Sequence, residues 1–152
     1  MPLSLTLPSM ISNRSAAEIK QDERVNILVV DDRPDKLLAL EAVLADLGEN
    51  IVRATSGKEA LRCLLQQDFA VILLDVNMPG MDGFETATLI RQRPRSELTP
   101  IIFVSAVNDN ENHVSRGYSL GAVDYIGTPI VSEILRAKVS VFVDLYRKTA
   151  QI

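Results

Sequence analysis

Short apolar segments alternate with helix-like segments five times between residues 26 and 148, and this alternation constrains the fold most strongly. The apolar segments are rich in β-branched residues, and the segment at residues 70–74 is apolar throughout. Continuous apolar strands are typical of a parallel sheet that is buried on both faces. The pattern therefore predicts an α/β fold, with a five-stranded parallel sheet that is doubly wound by helices.

The boundaries of the elements follow from turn and cap residues. Ser56 and Glu59 have the spacing of a helix capping box, and Gly48 is typical of a helix end. We expect strands at residues 27–30, 51–54, 70–74, 100–104 and 122–126. We expect helices at residues 34–47, 84–93, 109–120 and 132–148, and a further helix that begins at residue 56. In the last helix the valines alternate as in a strand, but the stripe of Leu135, Val139, Phe142 and Tyr146 favours a helix.

Length and composition indicate one soluble domain. We expect residues 1–24 to form a flexible leader or linker, residues 25–148 to form the domain, and residues 149–152 to form a tail. The net charge of −4 disfavours nucleic-acid binding. A lone cysteine, Cys63, excludes an internal disulfide and indicates a reducing, cytoplasmic compartment. The longest apolar run is too short to cross a membrane.

Polar side chains follow the predicted strands where each strand ends. Asp31 and Asp32 follow the first strand, Asp75 follows the third, and Ser105 follows the fourth. In an open α/β sheet the functional crevice lies at this edge. If strands one and three are neighbours, the three carboxylates converge and repel one another. A hard cation such as Mg²⁺ would offset that repulsion.

Capping of the following helices is the simpler explanation for these acids, because carboxylates are frequent at helix N-termini. One acid after a strand is usually such a cap. Two adjacent acids after one strand and a third acid after another make capping alone a poor explanation.

Four motifs resemble, in order and spacing, the successive signatures of response-regulator receiver domains. They are Val-Val-Asp-Asp at 29–32, Leu-Leu-Asp-Val-Asn-Met-Pro-Gly-Met-Asp-Gly at 73–83, Ser-Ala at 105–106 and Gly-Ala-Val-Asp-Tyr at 121–125. The resemblance covers residues 26–148 and implies a flavodoxin-like (βα)5 fold. It also implies a signalling switch, rather than a turnover enzyme, that accepts a phosphoryl group from the phosphohistidine of a histidine kinase or phosphotransfer protein.

The resemblance also implies residue roles. Asp75 would be the phosphoacceptor, and Mg²⁺ would be bound by Asp75 itself, by Asp32 directly, by Asp31 mainly through water and by the backbone carbonyl of Asn77. An aspartyl phosphatase is disfavoured, because those enzymes resemble a motif with a second aspartate at the position of Asn77.

Ser105 and Tyr125 would form the switch pair of the family. The Ser105 hydroxyl would donate a hydrogen bond to a phosphoryl oxygen, and the Tyr125 ring would follow it inward. The resemblance further implies a cis peptide bond before Pro129.

Thr128 departs from the family pattern, in which a lysine precedes the proline. A threonine hydroxyl donates one neutral hydrogen bond and brings no charge. Three explanations remain open: weaker coupling of phosphorylation to the switch, substitution by Arg33 or Lys36, or a degenerate pseudo-receiver that acts as a phosphorylation-independent interaction module. The presence of all three aspartates and Ser105 favours a working but altered site.

The last helix carries a second apolar stripe of Ile134, Val141 and Leu145, which nothing within the domain is expected to cover. It predicts a homodimer, or docking to an adjacent effector or kinase domain, through the face at residues 109–146. The leader and this helix favour a piece of a larger protein over a stand-alone regulator.

Overall fold

The computed structural model describes residues 23–106, 116, 118–119, 121 and 124–150. Five strands form one sheet in the order β2-β1-β3-β4-β5. Every pairing between neighbouring strands is parallel, so the predicted parallel α/β sheet is confirmed. The strands are β1 Asn26–Val30, β2 Asn50–Ala54, β3 Val71–Asp75, β4 Ile101–Ala106 and β5 Asp124–Thr128.

Four α-helices lie in the described part of the chain. They are α1 Pro34–Leu44, α2 Gly57–Gln66, α3 Gly83–Gln92 and α4 Ser132–Ala150. The helix predicted for residues 109–120 lies mostly outside the described residues, although Arg116, Tyr118 and Ser119 are helical. The valine-rich final segment is a helix, as predicted. None of the helices in the described ranges has the length and apolar content needed to cross a membrane.

The helices cover both faces of the sheet, because successive strand side chains point to opposite sides. One buried core joins alternate strand residues such as Leu28 and Ile72 to α2 and α3. The other joins the intervening residues, such as Ile27 and Val71, to α1 and α4. Both faces of β3 are therefore buried, which explains its continuous apolar run. The doubly wound architecture is confirmed.

The first helix ends earlier than the leucine stripe predicted. Its α-helical part stops at Leu44, and a 3₁₀ turn, Ala45–Leu47, follows. Gly48 then adopts φ 71° and donates its N–H to the Ala45 carbonyl at 3.1 Å. Glycine reaches this left-handed conformation without a Cβ clash, so the predicted stop signal acts after the tighter turn.

The capping box predicted at Ser56 is only half correct. Ser56 Oγ accepts a hydrogen bond from the Glu59 N–H at 3.1 Å. The Glu59 carboxylate, however, accepts from the N–H of Thr55 at 3.1 Å, one residue before the cap. The side chain of Glu59 thus stabilises the chain entering α2 rather than the cap residue itself.

The fifth strand, Asp124–Thr128, ends two residues beyond the predicted end at 126. The register pairs Ser105 with Gly127 and Ala106 with Thr128, so backbone pairing continues past the last large apolar side chain. Apolar content could not reveal this extension, because Gly127 and Thr128 carry no strand-like pattern. The predicted cis bond between Thr128 and Pro129 is confirmed.

Candidate functional site

Three carboxylates meet at the carboxyl edge of the sheet. Oxygen atoms of Asp31, Asp32 and Asp75 all lie within 4.8 Å of one another. Their approach follows from the pairing of β1 with β3, which sets Val30 beside Leu74, each one residue before an acid of the cluster. The sequence prediction that these acids converge is therefore confirmed.

Two of these acids are buried, with Asp31 2% and Asp75 6% exposed. Burial and, to a smaller extent, the charge of Asp31 together raise the pKa of Asp75 to about 6, against the opposing effect of the hydrogen bond from the Asn77 N–H. Burial also raises the pKa of Asp31, against the effect of a 3.0 Å hydrogen bond from the Arg33 N–H. Without a counter-charge, the ionised cluster is an unfavourable arrangement.

The donor set fits a hard divalent cation. The cluster offers carboxylate oxygens alone, without histidine or cysteine. Mg²⁺ prefers a small number of carboxylates together with water or phosphate oxygens. A cation here would also relieve the repulsion that raises the pKa of Asp75. The chemistry of the described residues thus suits Mg²⁺ rather than a softer metal.

Ser105 contributes a buried hydroxyl beside this cluster. It is 2% exposed, and its Oγ has no hydrogen-bond partner among the described residues. It lies on β4, whose Val104 pairs with Asp75. An unpaired buried hydroxyl is unfavourable, so a ligand that accepts a hydrogen bond from Ser105 would bind favourably at this point.

Asp31, Asp75 and Ser105 line a cavity of about 350 Å³ between α1 and the loop after β5. Its other wall is mainly apolar, formed by Ala39, Leu40, Val43, Val104, Ala106, Pro129 and Ile130. Sequence reasoning missed this wall. The signal was present, however, since Lys36, Leu40 and Val43 have the spacing of one helix face.

The two cations considered above differ in where they lie relative to the cavity. Thr128 and Lys36 both line it, whereas Arg33 does not. The Arg33 guanidinium instead pairs with Asp35 at 3.1 Å, and both side chains are well exposed. The positive charge of Lys36 lowers the pKa of both Asp31 and Asp75, although burial has the larger, opposite effect.

Tyr125 lies on β5, half-buried, two residues before the strand residue that pairs with Ser105. Its ring packs against Phe103 with centroids 6.1 Å apart, and Phe103 packs against Phe84 at 5.1 Å. Arg116 lies over the Phe84 ring at 4.7 Å. An aromatic row therefore connects the first residues of α3 with the predicted switch tyrosine.

The loop after Asp75 is fixed by a helix cap that sequence reasoning missed. Asp82 and Glu85 form a reciprocal capping box at the start of α3, and the spacing in the sequence could have revealed it. The Gly83 N–H donates to the Val76 carbonyl at 2.9 Å. A Cβ on Gly83 would lie 2.3 Å from the Asp75 carbonyl oxygen, so this close approach requires glycine.

Comparison with known sequences identifies relatives of this chain. The chain is 36% identical over 114 residues to the transcriptional regulatory protein AfsQ1 of Streptomyces coelicolor, covering 75% of this chain and 49% of that protein. It is 34% identical over 114 residues to the signal transduction histidine-protein kinase BarA of Escherichia coli, covering 73% of this chain and 12% of that protein. The chain thus spans less than half of either relative.

Solved structures share the fold. The chemotaxis protein CheY4 of Vibrio cholerae matches with a TM-score of 0.73 and 28% identity, over 78% of this chain and 98% of that one. The receiver domain of the sensor histidine kinase PA1611 of Pseudomonas aeruginosa has magnesium in its active-site cleft. It matches with a TM-score of 0.72 and 26% identity, over 80% of this chain and 98% of that one. The sequence model of the response regulator receiver domain matches residues 27–140. The chain belongs to the response regulator receiver domain family.

Proposed function

We propose that Asp75 accepts a phosphoryl group from the phosphohistidine of a histidine kinase or phosphotransfer protein and holds it as a signal. The observation that carries this proposal is the buried cluster of Asp31, Asp32 and Asp75 beside the Ser105 hydroxyl. Family membership supports it. The domain then acts as a cytoplasmic module of a phosphorelay, and not as an enzyme that turns over a substrate.

The proposed transfer is a displacement at phosphorus. An oxygen of the Asp75 carboxylate forms a bond to phosphorus while the bond between phosphorus and the donor imidazole nitrogen breaks. The imidazole nitrogen keeps the electron pair and later takes a proton from solvent. The product is an acyl phosphate, in which the carboxylate of Asp75 no longer carries its own negative charge.

Mg²⁺ is the cofactor that this donor set favours. Asp32 would bind it directly, Asp31 mainly through water, and Asp75 and the Asn77 backbone carbonyl would complete the protein ligands. When bound, Mg²⁺ supplies positive charge that offsets the phosphoryl oxygens. The magnesium in the cleft of the PA1611 receiver domain supports this assignment.

Ser105 and Tyr125 would convert the phosphoryl group into a change of shape. The Ser105 hydroxyl donates to a phosphoryl oxygen, and the Tyr125 ring moves into the space that the hydroxyl leaves. The burial of Ser105 Oγ and the packing of Tyr125 against Phe103 support this pair. The degenerate, phosphorylation-independent alternative has no comparable support, because the acids and Ser105 are all in place.

The exposed stripe on α4 supports a second part of the proposal, self-association. Ile134, Val141 and Leu145 are 49%, 60% and 54% exposed. The other stripe, which includes Leu135 and Val139, is buried against the sheet. We propose that the face at residues 109–146 forms a homodimer, with docking to an adjacent effector or kinase domain as the alternative. Residues 109–115 of this face lie outside the described residues.

The first prediction concerns the acceptor. Asp75→Asn should abolish labelling by acetyl phosphate with Mg²⁺, because the amide lacks the nucleophilic oxygen. Its fold should remain intact, and in metal-free buffer at pH 7 its free energy of unfolding should rise by about 2 kcal/mol, since a buried repelled charge is removed.

The pH dependence of the stability difference between Asp75→Asn and the wild type provides the control. The pKa of Asp75 is raised by folding to about 6, so its ionisation destabilises the wild type as pH rises through the range of about 4 to 6. The stability difference between variant and wild type should therefore vanish below about pH 4, where the carboxyl is protonated in both states. A variant that still gains one acid-labile phosphoryl group would show that Asp75 is not the acceptor.

The second prediction concerns the metal. Asp32→Ala should weaken Mg²⁺ binding by at least about tenfold, and by more than Asp31→Ala, because a direct ligand contributes more than a water-mediated one. Calorimetric titration of each dephosphorylated variant with Mg²⁺ measures the two affinities. Equal affinities of the wild type and Asp32→Ala would contradict the assignment.

The third prediction concerns Thr128. Thr128→Lys should strengthen the response to a phosphoryl analogue, because a charge-assisted contact contributes about 1.5–3 kcal/mol. The affinity for beryllofluoride and the shift of the Tyr125 resonances should both increase. Thr128→Met is the matched control, with comparable length and no charge. An unchanged response in Thr128→Lys would contradict the prediction, because it would mean that a positive charge at the end of β5 adds nothing to the contacts already present.

The fourth prediction concerns assembly. The double variant Val141→Glu, Leu145→Glu should be monomeric in sedimentation experiments in which the wild type self-associates, because buried carboxylates in an apolar interface are unfavourable. Leu38→Glu with Leu65→Glu is the matched control, since each of these leucines is 63% exposed on another helix. A wild type that stays monomeric at high concentration, with and without a phosphoryl analogue, would exclude self-association through this face.

A further inference from the structure

Lys36 is the one basic side chain that lines the cavity above Asp75, within the part of the chain that the structure describes. The cavity wall otherwise holds acids, neutral polar groups and apolar side chains. Arg33, three residues earlier, pairs with Asp35 instead. Any positive charge that the cavity itself offers to an anion therefore comes from Lys36.

The charge balance of the phosphorylated site requires such a group. Asp31 and Asp32 are negative, and a phosphoryl group adds about two further negative charges. One bound Mg²⁺ offsets only about half of the total. Thr128, at the end of β5, contributes a hydroxyl and no charge. A cation that reaches the cavity would thus be attracted most strongly when Asp75 is phosphorylated.

The position of Lys36 in α1 suits this contact. The helix begins at Pro34, so Lys36 lies in its first turn, where side chains point back towards the helix N-terminus and the acid cluster. A cation is unfavourable in the first turn of a helix, because it opposes the helix dipole. Lys36 also has no ion-pair partner among the described residues that would compensate. Attraction to the acids and to a phosphoryl anion explains why a lysine is tolerated there.

We propose that Lys36 binds the phosphoryl group on Asp75 through its ammonium group, from the α1 side of the cavity. This inference rests on the proposed function and names a residue that offsets part of the negative charge that Mg²⁺ leaves at that site. Lys36 is exposed at the rim, and its flexible chain carries a point charge that needs no fixed orientation. The contact therefore forms on phosphorylation and does not require a preformed ion pair.

The test is the rate of phosphorylation by acetyl phosphate with Mg²⁺ in single-site variants of the full chain. Lys36→Met keeps the length of the side chain and removes the charge, and it should slow labelling and weaken beryllofluoride binding by about tenfold. Lys36→Arg should retain most of the labelling rate and most of the affinity for beryllofluoride. Arg33→Met is the matched control and should behave like the wild type. Both effects in Lys36→Met should shrink at high salt, because the rim is exposed.

Two further measurements separate a phosphoryl contact from a merely structural role. In the dephosphorylated chain, Lys36→Met should bind Mg²⁺ more tightly than the wild type, because a like charge has been removed. Adding Thr128→Lys to Lys36→Met should restore labelling, because the second lysine replaces the lost charge from β5. A loss of folding would produce neither result.

The outcomes are distinct. Equal labelling and beryllofluoride affinity in Lys36→Met and the wild type would overturn the inference and leave the proposed function standing. Slow labelling in Arg33→Met with normal labelling in Lys36→Met would overturn it in favour of Arg33. A wild type that takes up no phosphoryl group from any donor would overturn the proposed function and this inference with it.

Discussion

Repulsion among three carboxylates at one edge of the sheet is the constraint on which the rest of the site depends. The pairing of β1 with β3 brings Asp31, Asp32 and Asp75 within 4.8 Å. The apolar layers on both faces then hold them there, because the strands that lead to the acids are buried completely. Stability of the fold thus forces an unfavourable arrangement of charge, which a bound cation would relieve.

The loop after Asp75 joins the acid cluster to an aromatic row that ends on β5. The capping box of Asp82 and Glu85 and the close approach of Gly83 to the Asp75 carbonyl fix the start of α3 against the end of β3. Phe84 follows directly and begins the aromatic row that ends at Tyr125. Packed side chains of this kind have few alternative arrangements, and they give continuous contacts from the start of α3 to β5.

Sequence reasoning predicted the sheet, the helices of the described part and the convergence of the acids, because these follow from apolar periodicity and the parallel topology. It could not decide between Arg33 and Lys36, since both adjoin the acids in the chain. The structure separates them, because Lys36 lines the cavity whereas the Arg33 guanidinium pairs with Asp35.

A phosphoryl group would change the hydrogen bonding of the Ser105 hydroxyl more than that of the Thr128 hydroxyl. Only differential interaction between two states biases a switch. Ser105 is 2% exposed and its hydroxyl has no partner among the described residues, so gaining a phosphoryl oxygen removes a penalty of about 1–3 kcal/mol. Thr128 is only half-buried, and water already satisfies such a hydroxyl before phosphorylation. In the proposed phosphorylated state, the free energy that drives the switch therefore comes from Ser105 and from charge, and little of it from Thr128.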